Sequence, residues 1–428
     1  MLGENRPKQG LPSTRMIPIS EAIDLIDQHV APLGTETVPI DHVVGRVLAE
    51  DIIADMDLPP FDRSQMDGFA VRADDVRNAP VELRIVGESS AGNGWHEEMR
   101  AGEAVRIMTG APVPIGADTV QKVELTSEAS FASAAAAQSD GTVAITEPIG
   151  AGKNIVRKGD EVKKGEIAIA SGELITERMV ATLAAFGYSS IVVTKSPSAS
   201  ILTTGSEVVE IDQTPGIDQI RNSNSAMLHA LCRSAGARTR VLPSASDDLN
   251  AIKDVINSAC QNSDVVVITG GVSVGKYDLT KSALHELGAE IYFEKLRLKP
   301  GKPAVFARLG RAVIFGLPGN PVSAAVTFYL FVRKALLIMQ NVHETDLARC
   351  RAISGGMLKG AKDRDTYLPA KISVDDEARI TVSLVKWIGS SDFIGFGKSN
   401  GLALVPAGEK IETGSMAEIL LFETPKKI

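Results

Sequence analysis

A glycine-rich segment after the apolar run at 265–269 carries the clearest chemical signal in this 428-residue chain. The run VVVIT is typical of a strand buried on both faces. The segment that follows reads GGVSVGKYD, and its glycines would let backbone N–H groups approach a phosphate, which a Cβ would prevent. Asp278 ends the segment, where its carboxylate could hold a cation or a water against the anion. The spacing matches neither the P-loop nor the dinucleotide fingerprint, and a plain strand-to-helix turn is the alternative. The residues that would touch the anion are Gly270, Gly271, Ser273 and Gly275.

Further polar residues follow other predicted strands, in TTGSE at 203–207 and SDD at 246–248. Because ligands collect where parallel strands end, these segments and the glycine loop should converge at one edge of a sheet. Glu207, Asp247 and Asp278 would repel one another there unless a hard cation such as Mg²⁺ lay among them. The alternative for Asp247 or Asp248 is that it simply caps the following helix.

A fourth segment, GLPGNP at 316–321, should reach the same edge and open a long helix. Pro318 and Gly319 precede Asn320 at the N-cap and Pro321 at the first helical position. Such a helix start offers unpaired N–H groups and a positive dipole end to an anion.

The basic stretch FEKLRLKPGKP at 293–303 is the second chemical signal. With the strand period of two, Lys295, Arg297 and Lys299 share one face, while Leu296 and Leu298 face the core. Three like charges on one face destabilise a strand, so a bound anion explains them economically. A solvated basic face is the alternative.

These segments lie within a regular alternation of strands and helices. The pattern predicts strands at 200–203, 238–242, 265–269, 290–296, 304–308 and 312–315, and helices at 223–235, 249–260, 280–287 and 321–339. Alternation at this spacing predicts a mostly parallel sheet covered by helices on both faces.

The remaining sequence predicts an α/β multidomain protein. A β-rich segment with a flexible hairpin or loop at 127–141 interrupts an N-terminal α/β lobe, and short strands from 355 onward predict a small C-terminal β-barrel, with a sandwich as the alternative. The predicted domains are 16–54 plus 148–195 for the lobe, 55–147 for the inserted β-rich domain, 196–342 for the central α/β domain and 343–428 for the barrel.

The composition narrows the class of protein. A net charge of -8 and 4% aromatic residues argue against a general nucleic-acid binder. Three scattered cysteines fit a reducing cytoplasm rather than a disulfide framework or a zinc site. No apolar core follows a basic start near residue 1, so we expect no secretory signal, and the most apolar stretch, 324–339, is interrupted by Arg333 and Lys334. We therefore expect a soluble cytoplasmic protein without a membrane or nucleic-acid partner.

Six motifs together identify a family. They are SQMDGFA at 64–70, MTGAP at 108–112, TGSE at 204–207, GGVSVG at 270–275, KPGKP at 299–303 and GLPGNP at 316–321. In these motifs and their order, the chain resembles the molybdopterin molybdenumtransferases, the MoeA and gephyrin E-domain family, over nearly its whole length.

The resemblance implies a reaction that the residues alone do not name. Molybdenum from molybdate enters adenylylated molybdopterin, and the adenylate is hydrolysed off as AMP with Mg²⁺. It also implies a homodimer of four-domain subunits with the active site between subunits, the cleft of one facing the inserted domain of the other. A transient contact with molybdopterin adenylyltransferase is compatible with this pathway.

The resemblance also implies roles for individual residues. Asp67 and Thr109 would come from the inserted domain, and Glu207, Asp247 and Asp278 would serve the metal and the hydrolysis. Lys295, Lys299, Pro318 and Pro321 would line the molybdate and phosphate end of the site.

In two places the chain departs from the family pattern. Glu161 holds the position of a family Asp, so either Asp160 or Glu161 acts there. Asp363-Arg364 replaces a family Gly-Arg, and Arg364 is an expected anion ligand together with Ser391. Two other functions compete with molybdenum insertion: adenylyl transfer to molybdopterin, and a non-enzymatic scaffold of the gephyrin kind.

Overall fold

The computed structural model describes residues 15–128, 141–245, 247–272, 279–423 and 426–427. Most of the predicted loop at 127–141 lies outside these residues. Ser246, Ser273, Gly275 and Asp278 also lie outside them.

The helices and strands are as follows. The helices are α1 (Ile19–His29), α2 (Glu177–Ala185), α3 (Ser223–Ser234), α4 (Leu249–Asn262), α5 (Leu279–Glu286), α6 (Pro321–Thr327), α7 (Arg333–Met339) and α8 (Phe393–Phe396). The strands up to the central sheet are β1 (Thr35–Pro39), β2 (Ile52–Ile53), β3 (Arg63–Ser64), β4 (Gly68–Val71), β5 (Val81–Ser89), β6 (Glu103–Ile107), β7 (Thr119–Lys122), β8 (Thr142–Ile145), β9 (Ile155–Val156), β10 (Ile167–Ile169) and β11 (Ser190–Thr194). The later strands are β12 (Ser198–Thr203), β13 (Val208–Val209), β14 (Ile220–Arg221), β15 (Arg238–Val241), β16 (Val265–Thr269), β17 (Glu290–Lys295), β18 (Leu298–Lys299), β19 (Pro303–Leu309), β20 (Ala312–Leu317), β21 (Arg349–Ser354), β22 (Leu358–Lys359), β23 (Asp365–Val374), β24 (Ile380–Leu384), β25 (Gly401–Val405), β26 (Lys410–Ile411), β27 (Met416–Leu421) and β28 (Lys426–Lys427).

The chain forms two compact units. The larger unit comprises residues 1–50, 172–176 and 190–428, and the smaller unit comprises 51–171 and 177–189. In the smaller unit, five strands form a sheet in the order β7-β4-β6-β5-β8, which agrees with the β-rich character predicted for this segment. The four-domain division stays a prediction.

The larger unit is built on a six-stranded sheet in the order β15-β12-β16-β20-β19-β17. The pairs β12–β15, β12–β16 and β16–β20 are parallel, whereas β19 runs antiparallel to both β20 and β17. The predicted mostly parallel sheet is therefore confirmed, with antiparallel pairings at one side.

Both faces of this sheet are buried against helices, as predicted. Alternate residues of β16 divide between two apolar clusters: Val265 and Val267 pack with α3 and α6, and Val266 and Ile268 pack with α4 and α5. Because strand side chains alternate between faces, a continuous apolar run such as VVVI is what a doubly covered strand requires.

The basic stretch differs from the single strand that its period predicted. The alternation of burial is confirmed, since Leu296 and Leu298 are fully buried while Arg297 and Lys299 are exposed. However, Lys295 ends β17 in the six-stranded sheet, and β18 pairs in parallel with β23 of another sheet. The chain changes sheets here because main-chain bonds from Arg297 N to Ile17 O and from Asp365 N to Arg297 O replace the ladder.

The C-terminal strands form the predicted small barrel. Strands β23, β24, β21, β27 and β25 pair in succession, and a further pairing of β25 with β23 closes the ring. Closure leaves these strands without a free edge among themselves.

The long helix at 321–339 is a core element of the larger unit. It consists of α6, a π-helical segment (Phe328–Val332) and α7, and by length and hydropathy alone it could span a membrane. Its apolar window is 78% buried inside the protein. The nearly buried Lys334 binds Asp27 and Asp346, each at 3.1 Å.

Candidate functional site

The described part of the glycine loop packs closely against the end of the neighbouring strand β12. Gly270 and Gly271 have φ angles of +96° and +62°. A Cβ on Gly270 would lie 2.5 Å from the carbonyl oxygen of Thr204, and one on Gly271 would lie 2.5 Å from Thr280 Oγ1 and 3.1 Å from Thr204 Oγ1. These close approaches and the positive φ angles favour glycine at both positions. Contact with a phosphate stays a prediction.

The strand ends converge as predicted. The backbone N–H of Gly270 donates to Leu317 O at 3.2 Å, which joins the glycine loop to the GLPGNP segment. On the other side, Thr204 and Ala245 form a parallel bridge that joins the ends of β12 and β15. The described parts of the four segments therefore lie along one edge of the six-stranded sheet.

Asn224, which the sequence analysis missed, ties two of these loops together. Its Nδ2 donates to Thr269 Oγ1 at 3.0 Å and to Gly319 O at 2.7 Å, and the Thr269 hydroxyl donates to Pro318 O at 3.0 Å. Asn224 is 8% exposed and Thr269 is fully buried. The side-chain oxygen of Asn224 and Thr204 Oγ1 have no hydrogen-bond partner among the described residues.

The start of α3 explains why Asn224 reaches this edge. Asn222 is the N-cap, and its side chain accepts from Ser225 N at 3.0 Å and from Thr203 Oγ1 at 3.2 Å. This holds the first turn of α3 against the end of β12. A sequence signal existed, since the residue pattern NSN stands at the predicted helix start, but its partners are distant in sequence.

The acidic side of the edge contains Glu207 and Asp247. Both side chains are exposed, and the Glu207 carboxylate lies over Gly205, where an added Cβ would be 2.5 Å from Oε2. Asp247 Oδ2 accepts from Ser206 N at 3.2 Å, so its carboxylate lies beside the residue that precedes Glu207. Asp248 caps α4 by accepting from Ala251 N at 2.8 Å, which confirms the capping alternative for that residue.

Two carboxylates on neighbouring loops are compatible with a magnesium site. Carboxylate oxygens are the ligands that Mg²⁺ prefers, usually one or two of them together with water and substrate phosphates. No group of three His, Cys, Asp or Glu side chains that could hold a metal occurs among the described residues. The third predicted ligand, Asp278, lies outside them. Glu207 and Asp247 thus fit such an ion without forming a complete cage.

A cationic cluster lies where the larger unit changes sheets, and we define it as Arg297, Lys299, Lys302 and Arg364. The parallel register pairs Lys299 with Thr366 and Leu298 with Asp365. One residue earlier on both strands, the same register aligns Arg297 with Arg364. Within the part of the chain that the structure describes, Arg297, Lys299 and Lys302 have no carboxylate at ion-pair distance. Unpaired cations at adjacent positions can bind an oxyanion.

One acidic residue competes within this cluster. Asp363 Oδ1 accepts from Arg364 Nε at 3.3 Å. The hydrogen bond from Arg364 holds the pKa of Asp363 below its ordinary value, and the charge of Lys302 acts in the same direction. Asp363 therefore stays ionised and partly neutralises the predicted anion ligand Arg364.

The acidic side and Lys295 lie at the same edge but on opposite flanks. Lys295, the last residue of β17, pairs with Pro303, the first residue of β19. This beginning of β19 lies beside the C-terminal end of β20, because the two strands are antiparallel. In the strand order, β17 is four spacings from β12, or about 19 Å at about 4.8 Å per strand. The two groups could contact opposite ends of one extended ligand but not a single small ion.

The helix start at 320–322 is partly occupied by another segment of the chain. Asn320 is the N-cap with Pro321 following it, as predicted, but its side chain does not cap the helix. Instead Asn320 Nδ2 donates to Ser390 Oγ at 2.9 Å, and Val322 N donates to Ser390 O at 3.0 Å. The exposed Ser391 is next in this segment, so Ser390 rather than Ser391 makes the contacts with the helix start.

The remaining predicted residues belong to the smaller unit. Asp67 Oδ1 accepts from Thr109 N at 2.7 Å, which ties the SQMDG and MTG loops together. Glu161 Oε1 accepts from Arg63 at 3.0 Å, whereas Asp160 accepts from Arg157 N in its own turn at 2.9 Å. Of the two acidic residues, Glu161 is the one whose side chain reaches another segment.

A cavity of about 430 Å³ lies elsewhere in the larger unit. Leu231, Tyr329, Arg333 and Phe422 are among its lining residues, and it contains none of the predicted site residues. It is therefore separate from the convergent sheet edge.

Two family models match the chain. Residues 17–187 match the MoeA N-terminal region (domain I and II), and residues 200–337 match a probable molybdopterin binding domain. The second match contains the six-stranded sheet and all the segments that converge at its edge.

Similar proteins cover nearly the whole chain. The molybdopterin molybdenumtransferase of Staphylococcus aureus strain COL is 32% identical over 413 residues, 95% of this chain and 96% of its own length. That of Bacillus subtilis strain 168 is also 32% identical, covering 95% and 94%. The crystal structure of the molybdopterin biosynthesis moeA protein from Pyrococcus horikoshii OT3 superposes with a TM-score of 0.80 at 30% identity, covering 95% of this chain and all of that one.

Identity at this level over almost the entire length of both sequences, together with the shared multidomain fold, shows that the chain belongs to the MoeA family of molybdopterin molybdenumtransferases.

Proposed function

We propose that this protein inserts molybdenum from molybdate into adenylylated molybdopterin and releases AMP with the help of Mg²⁺. The transferase activity follows from membership of the family. The observation that best supports the detailed reaction is the sheet edge itself, with exposed carboxylates on one flank and Lys295 and Lys299 toward the other. An elongated anionic substrate with a phosphoryl group and a metal-accepting end suits such an edge.

On this proposal the two flanks have different tasks. Lys295, Arg297, Lys299 and Arg364 attract molybdate and phosphate oxygens, together with the segment Pro318–Pro321. Glu207, Asp247 and Asp278 hold Mg²⁺, which when bound would neutralise charge on the phosphoryl group of the adenylate. The same carboxylates orient the water that hydrolyses the adenylate.

The smaller unit completes the proposed site from the partner subunit. Asp67, Thr109 and Glu161 would face the cleft of the other protomer in a homodimer. Two of these side chains make contacts that position loops, Asp67 with Thr109 N and Glu161 with Arg63. We place the protein in the cytoplasm, where it would receive its pterin substrate from the adenylyltransferase.

The test is release of AMP from adenylylated molybdopterin, followed with and without molybdate. Molybdate-dependent AMP release would support the proposal. If the protein instead formed adenylylated molybdopterin from molybdopterin, ATP and Mg²⁺, adenylyl transfer would be the correct function. A folded dimer without either activity would indicate a scaffold.

A further inference from the structure

Asn224 stands out among the residues at the sheet edge to which no role has been assigned. It lies in the first turn of α3, and its amide contacts the ends of two other elements, Thr269 before the glycine loop and Gly319 before the long helix. These are the two loops expected to surround the phosphoryl group.

The orientation of this amide is determined by its partners. Gly319 O can only accept a hydrogen bond, so Nδ2 must face it. The other Nδ2 hydrogen is used by Thr269 Oγ1, which passes its own hydrogen to Pro318 O. The Asn224 oxygen meets no donor in the described ranges, so only the Nδ2 bonds hold the side chain in place.

Asn224 is therefore one of the groups that set the distance between the two loops, and it is the one that holds the Gly319 carbonyl. Gly319 approaches Gly270 closely, since a Cβ on Gly319 would lie 3.7 Å from Gly270 Cα. The backbone N–H of Gly270 is also bonded to Leu317 O. Without the Asn224 bridge, the segment at 318–320 would keep that main-chain bond and the bond from Thr269 Oγ1 to Pro318 O, but would lose the side-chain bond that holds the Gly319 carbonyl.

We propose that Asn224 is a positioning residue that holds the Gly270 and Gly319 loops at the spacing needed to bind the adenylate phosphoryl group. The proposal rests on the proposed function for the identity of the ligand. The loop spacing itself is a property of the ligand-free protein, and it can be measured without turnover.

The variants are chosen to separate positioning from stability. Asn224→Leu keeps the branched shape and removes both hydrogen bonds, and Asn224→Asp puts an oxygen against Gly319 O, where two acceptors repel. Gln340→Met is the matched control, because Gln340 is also a buried amide that donates two hydrogen bonds, in its case to the backbone carbonyls of Ala235 and Leu336. Gln340 contacts the last turn of α3, whereas Asn224 is in the first.

Hydrogen exchange of the ligand-free protein and AMP binding by calorimetry are the two measurements. We expect Asn224→Leu to raise amide exchange at 270–272 and 319–322 and to weaken AMP binding about tenfold, with a larger loss for Asn224→Asp. Gln340→Met should lower the melting temperature comparably and leave both readouts unchanged.

Two results would overturn the proposal. One is unchanged exchange in the two loops of Asn224→Leu, and the other is increased exchange with wild-type AMP affinity. If the wild-type protein binds AMP but molybdate never makes it release AMP from adenylylated molybdopterin, the proposed function fails. The exchange and affinity results still decide the role of Asn224 in that case.

Discussion

Single side chains among the predicted site residues and their neighbours make structural contacts that their proposed chemical tasks would have to accommodate. Asp67 is an example, because one of its oxygens holds the backbone of Thr109 while the side chain remains exposed. Asp363 is another, because it binds the neighbouring Arg364 that is expected to bind an anion. Substitutions that keep the hydrogen bond but remove the charge distinguish the two tasks.

Asp67→Asn should lower kcat by about a hundredfold if the negative charge takes part in the reaction. The loop contact should survive, because the amide oxygen can still accept from Thr109 N. Asp67→Ala, which breaks that bond as well, should also lower the melting temperature. The measurement is AMP release together with thermal unfolding. Asp74→Asn, at an exposed carboxylate of the same unit paired with Arg77, is the control. Near wild-type kcat in Asp67→Asn would assign Asp67 to loop structure alone.

Asp363→Asn should tighten molybdate binding, because Arg364 is released from its carboxylate neighbour. The gain is limited to about fivefold, since an exposed ion pair contributes little. Calorimetric titration with molybdate measures it, and Glu412→Gln, at the exposed pair with Lys410, is the control. Weaker molybdate binding in Asp363→Asn would show that the carboxylate supports the site instead of competing within it.

At the scale of elements, helix starts and strand ends bring the site together. The first turn of α3 and the start of α6 both reach the carboxyl edge of the sheet, and hydrogen bonds from Asn224 link them to the end of β16. The long helix is joined to neighbouring segments by the buried Lys334, which binds Asp27 and Asp346. Burial acts to lower the pKa of Lys334, but hydrogen bonds to Asp27 and Asp346 outweigh it, so the pKa is raised above 10.5.

This shift predicts a pH dependence of stability. A raised pKa in the folded state means that protonated Lys334 stabilises the fold fully below pH 10.5 and loses this contribution as the pH rises through the folded pKa. The difference in unfolding free energy between wild type and Lys334→Met should therefore shrink above pH 10.5. Urea unfolding across the pH range measures it, with Lys371→Met, at an exposed lysine of β23, as the control. A difference that grows above this pH would contradict the assignment.

At the scale of the whole molecule, the predicted site residues are divided between two compact units. Asp67, Thr109 and Glu161 belong to the smaller unit, and the carboxylates and the cationic cluster belong to the larger one. The proposal that a site combines the smaller unit of one subunit with the larger unit of its partner has a direct consequence for mixed dimers.

Asp67→Ala and Lys299→Ala should each be nearly inactive alone and should regain activity when mixed. Random exchange makes half of the dimers mixed, and each mixed dimer has one intact site, so about a quarter of wild-type activity is expected. AMP release after subunit exchange measures this, and a chain carrying both substitutions, mixed with either single variant, is the control. If mixing restores nothing although exchange is complete, the site lies within one subunit.

The sequence alone determined the order and kind of the main elements. The apolar run at 265–269 predicted a doubly covered strand, and the structure has that strand at the same residues, because burial on both faces demands an uninterrupted apolar run. The asparagine before the long helix and the proline at its first position likewise marked its start, since these are local backbone preferences.

Tertiary structure decided which segments distant in sequence become neighbours. The alternation in KLRLK was visible in the sequence, but its division between two sheets depends on the pairing of Leu298 with Asp365, which lies far along the chain in another sheet. The bonds of Asn224 to Thr269 and Gly319 join residues 45 and 95 positions apart. Local patterns specify the conformation of a segment, whereas a site assembled from distant strand ends exists only once the packing of the core has placed them together.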